Sequence, residues 1–207
     1  MKFLNFFKGT TLPNKLTIIR ILLVFPFIFF LWLSNFFRGW GLPFQIVFGV
    51  IALFIFIAAM ITDYFDGKIA REKKLASNFG KLWDPIADKL ITTVALSFLL
   101  MVQIIPLWLF LVFILRDIVV AGARTVMVQH NISVAADKMG KIKTVLMTIG
   151  IIICLIYEVT GINWLISYTW FIESMISYII SIPLMVACVF NLISGYNYVR
   201  KVSVHLL

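Results

Sequence analysis

Apolar residues are gathered into six long runs, at about residues 16–33, 44–61, 82–102, 107–127, 145–160 and 168–192. Crossing a hydrocarbon core of roughly 30 Å takes about 20 apolar residues, so the pattern predicts six transmembrane helices. The breaks between runs carry turn chemistry: Ser34-Asn35, the stretch from Gly39 to Pro43, Ile105-Pro106, His130-Asn131 and Gly161-Ile162-Asn163. Pro26 and Pro183 lie inside runs, where they predict kinks. Ahead of the first run, Phe3, Leu4, Phe6 and Phe7 stand beside Lys2 and Lys8, a pattern suited to a short amphipathic helix in the headgroup region or, equally, to a tail without structure. No small-residue cleavage site follows the first run, so it should stay as the first helix. The expected architecture is all-α: a polytopic membrane protein of six transmembrane helices with an N-terminal interfacial segment over 1–12, in one membrane domain spanning 1–207.

Composition narrows the class. With 62% hydrophobic and 13% charged residues among 207, and a mean hydropathy of +1.06, the chain has too little polar surface for a soluble globule. Cys154 and Cys188 both fall within apolar runs, which points to packing rather than to a disulfide framework or a zinc site. A net charge of +9 raises the question of nucleic acid, but no basic stripe with interleaved aromatics stands outside the runs. Anionic lipid or phosphate is the better partner.

Charge distribution sets the orientation. Lys2, Lys8, Lys15 and Arg20 flank or open the first run, and Lys68, Arg71, Lys73, Lys74, Lys81 and Lys89 surround the second connection. Arg124, Lys138, Lys141 and Lys143 mark the fourth connection, and Arg200 and Lys201 the C-terminus, whereas Arg38 alone marks the opposite side. The positive-inside rule then predicts both termini in the cytoplasm. Asp63, Asp66, Asp84, Asp88, Asp117 and Asp137 lie toward that side, with Glu158 and Glu173 outside, so chemistry is expected at the cytoplasmic face.

Around the second connection, helical spacing places Asp63, Asp66, Gly67 and Ala70 within one arc of about 60 to 100°. Two carboxylates thus border a patch without bulk, where a ligand can approach the backbone, and Arg71 can neutralise a phosphate. Asp84 and Asp88 follow, one helical turn apart. Four carboxylates beside a low-dielectric region repel one another unless cations offset them, and an oxygen-only donor set favours Mg²⁺ or Mn²⁺. Taken singly, Asp84 could instead cap a helix with Pro85 at its first position.

The full pattern, Asp63-x-x-Asp66-Gly67-x-x-Ala70-Arg71, eight residues, then Gly80-x-x-x-Asp84-x-x-x-Asp88, resembles the signature of the CDP-alcohol phosphotransferases at every motif position. The resemblance implies six transmembrane helices, a CDP-linked lipid substrate, release of CMP, a homodimer, and two divalent cations held by Asp63, Asp66, Asp84 and Asp88. It makes Asp88 also the catalytic base for the acceptor hydroxyl, and it places Gly67, Ala70, Arg71 and Ser77 at the CDP site.

Pro13-Asn14-x-Leu16-Thr17-x-x-Arg20 resembles the opening of the family branch that accepts sn-glycerol 3-phosphate, which adds Asn14 and Thr17 to the CDP site. Asn14 could also simply cap the first helix. Arg116 lies about ten residues along the fourth run from Pro106, roughly 15 Å into the bilayer, with Asp117 beside it and Arg124 two turns on, on nearly the same side. Gly140-Lys141-Ile142-Lys143-Thr144 opens the fifth helix, where backbone N–H groups and lysines favour an anion. Arg116, Arg124, Lys141 and Lys143 are therefore candidates for the acceptor phosphate, although a snorkelling arginine and positive-inside lysines read the same residues structurally. The expected reaction joins CDP-diacylglycerol to glycerol 3-phosphate in a lipid membrane. Serine, inositol phosphate or phosphatidylglycerol as acceptor, and an ion-coupled transporter, remain the alternatives.

Overall fold

The structure, a computed structural model, describes residues 12–39, 42–73, 78–129, 138–160 and 170–206. Among them the secondary structure is helical throughout: α1 (Leu12–Phe36), a 3₁₀ turn (Phe37–Gly39), α2 (Leu42–Lys73), α3 (Asn78–Met101), α4 (Leu107–Gln129), α5 (Lys138–Val159), α6 (Trp170–Ile180) and α7 (Ile182–Leu206). Four segments, Asn14–Phe36, Pro43–Phe65, Met139–Val159 and Ile182–Ser203, are long and apolar enough to cross a membrane. α4 matches them with 23 residues but carries Arg116, Asp117 and Arg124 within its apolar sequence. Large apolar side chains point away from the protein along these helices, with Phe25 68%, Phe54 66% and Ile118 63% exposed. In water such surface would be costly, and in lipid it is the ordinary outer face of a membrane protein.

Three boundaries differ from the hydropathy pattern. α2 continues to Lys73, beyond the apolar run that ends near residue 61, so Asp63 through Arg71 are helical. α3 begins at Asn78, which places Asp84 and Pro85 inside the helix and corrects the reading of Asp84 as its cap. The sixth run is two helices rather than one. The helix breaks at Ser181, two residues before Pro183, which has no N–H to donate and crowds the preceding turn. Ser181 N–H still donates to Ser177 O and Met185 N–H to Ser181 O, each at 3.0 Å, so hydrogen bonding resumes on both sides of the break. Pro26, by contrast, lies within an uninterrupted α1. The proposed interfacial segment lies outside the described residues, apart from Leu12 at the start of α1.

The chain divides into two compact units, one of Met1–Ala95 with Glu158–Ile162 and the other of Leu96–Tyr157 with Asn163–Leu207. In unit one, α1 and α2 form an antiparallel pair. Val24, Phe27 and Leu31 of α1 and Ala52, Phe56 and Ala59 of α2 are buried at spacings of three and four residues. The rings of Phe27 and Phe56 lie 5.8 Å apart. At the connection, Phe37 packs on Phe44 and Phe48 at 5.6 and 5.5 Å, where Ser34 Oγ donates to Gln45 O at 3.0 Å. Arg38 is ion-paired with the buried Glu158 at that end.

In unit two, Leu109, Phe113 and Val120 of α4, Ile151 and Leu155 of α5, and Leu184, Ala187 and Tyr198 of α7 are buried. α3 closes in this unit with a left-handed residue, Gln103 (φ 62°). Ile104 N–H reaches Leu99 O at 2.9 Å and Gln103 N–H reaches Leu100 O at 3.0 Å, the paired bonds of a Schellman stop ahead of Pro106. α5 and α7 cross closely at Gly150, where a Cβ would stand 2.7 Å from Leu184 Cγ.

Candidate active site

Two groups of polar residues carry candidate chemistry, one in each unit. In unit one the buried stripe of α1 turns polar toward its N-terminus. Asn14, Thr17 and Arg20 continue the three-residue spacing that leads into Val24 and Phe27, and they are 6%, 0% and 0% exposed. A buried guanidinium requires a charged or hydrogen-bonding partner. Arg20 Nη1 meets Asp63 Oδ1 of α2 at 2.8 Å, and the Asp63 side chain is 41% exposed. Arg20 thus holds one carboxylate oxygen from the protein side while the group stays accessible from outside.

The helical backbone carries Asp66 one turn beyond Asp63, and Gly67, Ala70 and Arg71 follow on the same helix. Asp84 and Asp88 lie one turn apart on α3. The side chains of Asp66, Ala70, Arg71, Asp84 and Asp88, the surroundings of Gly67, and Ser77 as a whole lie outside the described residues. The donor set is hard carboxylate oxygen, and its one described member is accessible and oriented, which fits Mg²⁺ or Mn²⁺. In the sequence Arg20 reads as a topology marker. Its three-residue spacing from Thr17, on the face that packs, is the signal that it turns inward toward Asp63.

In unit two, Arg116 and Arg124 of α4, Lys141 and Lys143 of α5, and Ser194 and Tyr198 of α7 line a cavity of about 420 Å³. All four cations expected to hold an acceptor phosphate are therefore in one place. Arg116 Nη1 donates to Asp117 Oδ1 at 3.0 Å and Nη2 to Ser194 Oγ at 2.9 Å. Lys143 Nζ donates to the same Asp117, at 3.2 and 3.5 Å from its two oxygens. It also stands 5.6 Å from the Phe113 ring centroid, within cation–π range.

The Arg116 and Lys143 side chains are only 16% and 6% exposed, whereas Arg124 and Lys141 are exposed and form no ion pair among the described residues. Among the described residues, four cations around one carboxylate leave positive charge uncompensated in a partly dry cavity, which suits a phosphate. Sequence reasoning missed Ser194 and Tyr198, which lie just past the end of the sixth apolar run and belong to no motif. It paired Asp117 with Arg116 but not with Lys143.

The CDP-alcohol phosphatidyltransferase family matches residues 10–187, and the chain belongs to that family. The resemblance drawn from the aspartate motif is thereby confirmed, and the transporter reading is set aside. The chain is 34% identical over 198 residues to the CDP-diacylglycerol–glycerol-3-phosphate 3-phosphatidyltransferase of Bacillus subtilis, covering 92% of this chain and 94% of that one. It is 35% identical over 206 residues to the protein of the same name from Mycoplasma pneumoniae, covering 92% and 87%. The Mycoplasma genitalium protein of that name is 37% identical over 151 residues, covering 68% and 63%.

Proposed function

We propose that this chain transfers the phosphatidyl group of CDP-diacylglycerol to sn-glycerol 3-phosphate, giving phosphatidylglycerophosphate and CMP. The observation that carries the acceptor is the cavity in which Arg116, Arg124, Lys141 and Lys143 converge, and the names of the relatives agree with it. A phosphorylated acceptor gives those cations a dianion to bind, whereas serine would leave them unmatched.

In the reaction the acceptor hydroxyl oxygen forms a bond to the lipid-linked phosphorus as the bond from that phosphorus to CMP breaks. Asp88 accepts the hydroxyl proton. Asn14, Thr17, Gly67, Ala70, Arg71 and Ser77 bind and orient the CDP moiety, and the four cations of unit two fix the acceptor by its phosphate. Asp63, Asp66, Asp84 and Asp88 would hold two divalent cations, Mg²⁺ or Mn²⁺, which would supply Lewis-acid stabilisation of the phosphoryl charge. Arg20 orients Asp63 for that task.

The chain acts as a single domain of six membrane spans, with α3 and α4 completing the set, an interfacial N-terminal segment, both termini in the bacterial cytoplasm, and a homodimeric assembly. The positive-inside distribution supports this orientation. A cysteine at Lys74 or Lys138 should be labelled only from the cytoplasm and one at Asn163 only from outside. Reversed labelling overturns the topology.

The central experiment incubates purified protein in detergent with CDP-diacylglycerol, Mg²⁺ and each of glycerol 3-phosphate, inositol phosphate, serine and phosphatidylglycerol, and measures CMP. Release is expected with glycerol 3-phosphate, abolished by EDTA and restored by Mg²⁺ or Mn²⁺. Release with another acceptor alone reassigns the substrate, and full activity in excess EDTA removes the metals.

A further inference from the structure

Arg116 is a charged residue set among apolar ones. Its neighbours Leu115, Ile118 and Val119 are 58%, 63% and 52% exposed toward the apolar surroundings, while Phe113 and Val120 on the same helix are buried. A long, flexible cation there has many conformations to lose when it binds an anion, and ordering it at that moment weakens binding. The structure removes that freedom in advance, through two adjacent residues of α7. Ser194, 2% exposed, accepts a hydrogen bond from Arg116 Nη2 at 2.9 Å. Gly195 lies against the aliphatic stem, and a Cβ built there would stand 2.9 Å from Arg116 Cγ and 3.5 Å from Nε. Contact at Cγ, near the root of the side chain, cannot be relieved by moving the far end alone.

From this geometry we infer that the Ser194–Gly195 step of α7 is the positioning element for acceptor recognition. Gly195 supplies the flat backbone on which the Arg116 stem lies, and Ser194 fixes the rotation of its guanidinium. Nη1 and Nη2 give one N–H each to Asp117 and Ser194, and each carries a second N–H. With the plane of the group held, those remaining donors face a phosphate in a set direction. Nε is buried and has no hydrogen-bond partner among the described residues, consistent with a stem seated on the helix rather than reaching for an anion. The selectivity that follows is for acceptors that carry a phosphate, because the step acts on the acceptor through Arg116. This inference rests on the assignment of Arg116 to the acceptor phosphate.

The test is a kinetic comparison on the full chain, purified by size exclusion in detergent, with KM measured for both substrates in Gly195→Ala, Ser194→Ala, Ser194→Thr, Arg116→Ala and the double variant Arg116→Ala/Gly195→Ala. Gly195→Ala should raise KM for glycerol 3-phosphate by about tenfold and Ser194→Ala by about three- to tenfold, less than the loss of a direct charge-assisted hydrogen bond because Arg116 is displaced rather than removed. KM for CDP-diacylglycerol should stay within about twofold in both, as for sites that do not couple. Ser194→Thr, which keeps the hydroxyl, should recover most of the loss. The double variant should be no worse than Arg116→Ala, because a seat without an occupant does nothing.

Equal changes in both KM values, or an additive double variant, would show that the step serves helix packing alone and overturn the inference. If Gly195→Ala does not yield folded protein, the Ser194 pair decides, since loss in Ala without recovery in Thr also overturns it. An unchanged glycerol 3-phosphate KM in Arg116→Ala overturns the acceptor assignment and this inference together. A raised KM in Arg116→Ala beside unchanged Ser194 and Gly195 variants overturns the inference alone.

Discussion

Among the described residues of unit one, arginine and carboxylate stand in pairs: Arg20 with Asp63 and Arg38 with Glu158. In unit two, Arg116 and Lys143 share a single carboxylate, Asp117, and Arg124 and Lys141 face the same cavity. Paired charges offset part of one another's desolvation. A surplus of cations in a partly dry cavity does not offset itself and favours an anion. The contrast assigns different work to the two units. On the proposed function, unit one would orient carboxylates for phosphoryl chemistry and unit two would hold the acceptor's phosphate, which takes no part in bond breaking.

That contrast predicts different kinetic signatures, and the largest should come from Asp88. Asp88→Asn keeps the shape of the side chain but cannot accept the hydroxyl proton, so kcat should fall by about 10²- to 10⁴-fold with little change in CDP-diacylglycerol binding. Steady-state CMP release together with nucleotide binding checks it, and unchanged turnover removes the base role.

Arg116→Ala should act on the other parameter. Loss of a charge-assisted hydrogen bond, about 1.5 to 3 kcal/mol, corresponds to a rise in KM for glycerol 3-phosphate of about 10- to 150-fold. Parallel loss of both substrates' affinity with a smaller folded fraction would break the distinction between the units.

Arg20→Ala should lower kcat by about 10- to 100-fold, the usual cost of removing a residue that orients a ligating side chain. Its expected cost in stability is about 1 to 3 kcal/mol, less than for a fully buried pair, because Asp63 is 41% exposed and regains water. Metal titration of CMP release should show a higher metal concentration needed for half-maximal activity, and wild-type kinetics would reduce the pair to a structural contact.

Glu158→Gln, in the other pair of unit one, should have the smallest effect on activity. Both KM values and kcat should stay within about twofold while thermal stability in detergent drops by about 1 to 3 kcal/mol, since Arg38 is left 31% exposed and partly hydrated. A kinetic effect as large as that of Arg20→Ala would place Arg38 and Glu158 in the catalytic machinery.

Much of this was legible from the chain alone because the membrane imposes a simple rule: backbone groups in lipid must be bonded within the segment, so long apolar runs are helices. The runs located α1 through α5 to within a few residues at most ends. They failed where polarity and helicity part company. α2 continues through Asp63, Asp66 and Arg71 because leaving the apolar layer does not end a helix. The sixth run divides at Ser181 because Pro183 breaks the backbone without changing hydropathy. The cavity cations were legible too, since Arg116 and Arg124 share a face of one helix and Lys141 and Lys143 open another.

What the sequence determined by itself is the membrane class, the run of helices, the aspartate signature that marks the family, and the composition of the basic cavity. The partners of those residues were decided only in three dimensions. Arg116 is seated on Ser194, 78 positions away, Arg38 reaches Glu158 across 120 positions, and Arg20 is buried against Asp63 on the next helix. Helical periodicity states which residues share a face of one helix. Which faces meet, and at what height, depends on how the side chains of two helices interdigitate, and that matching belongs to pairs of segments rather than to either one.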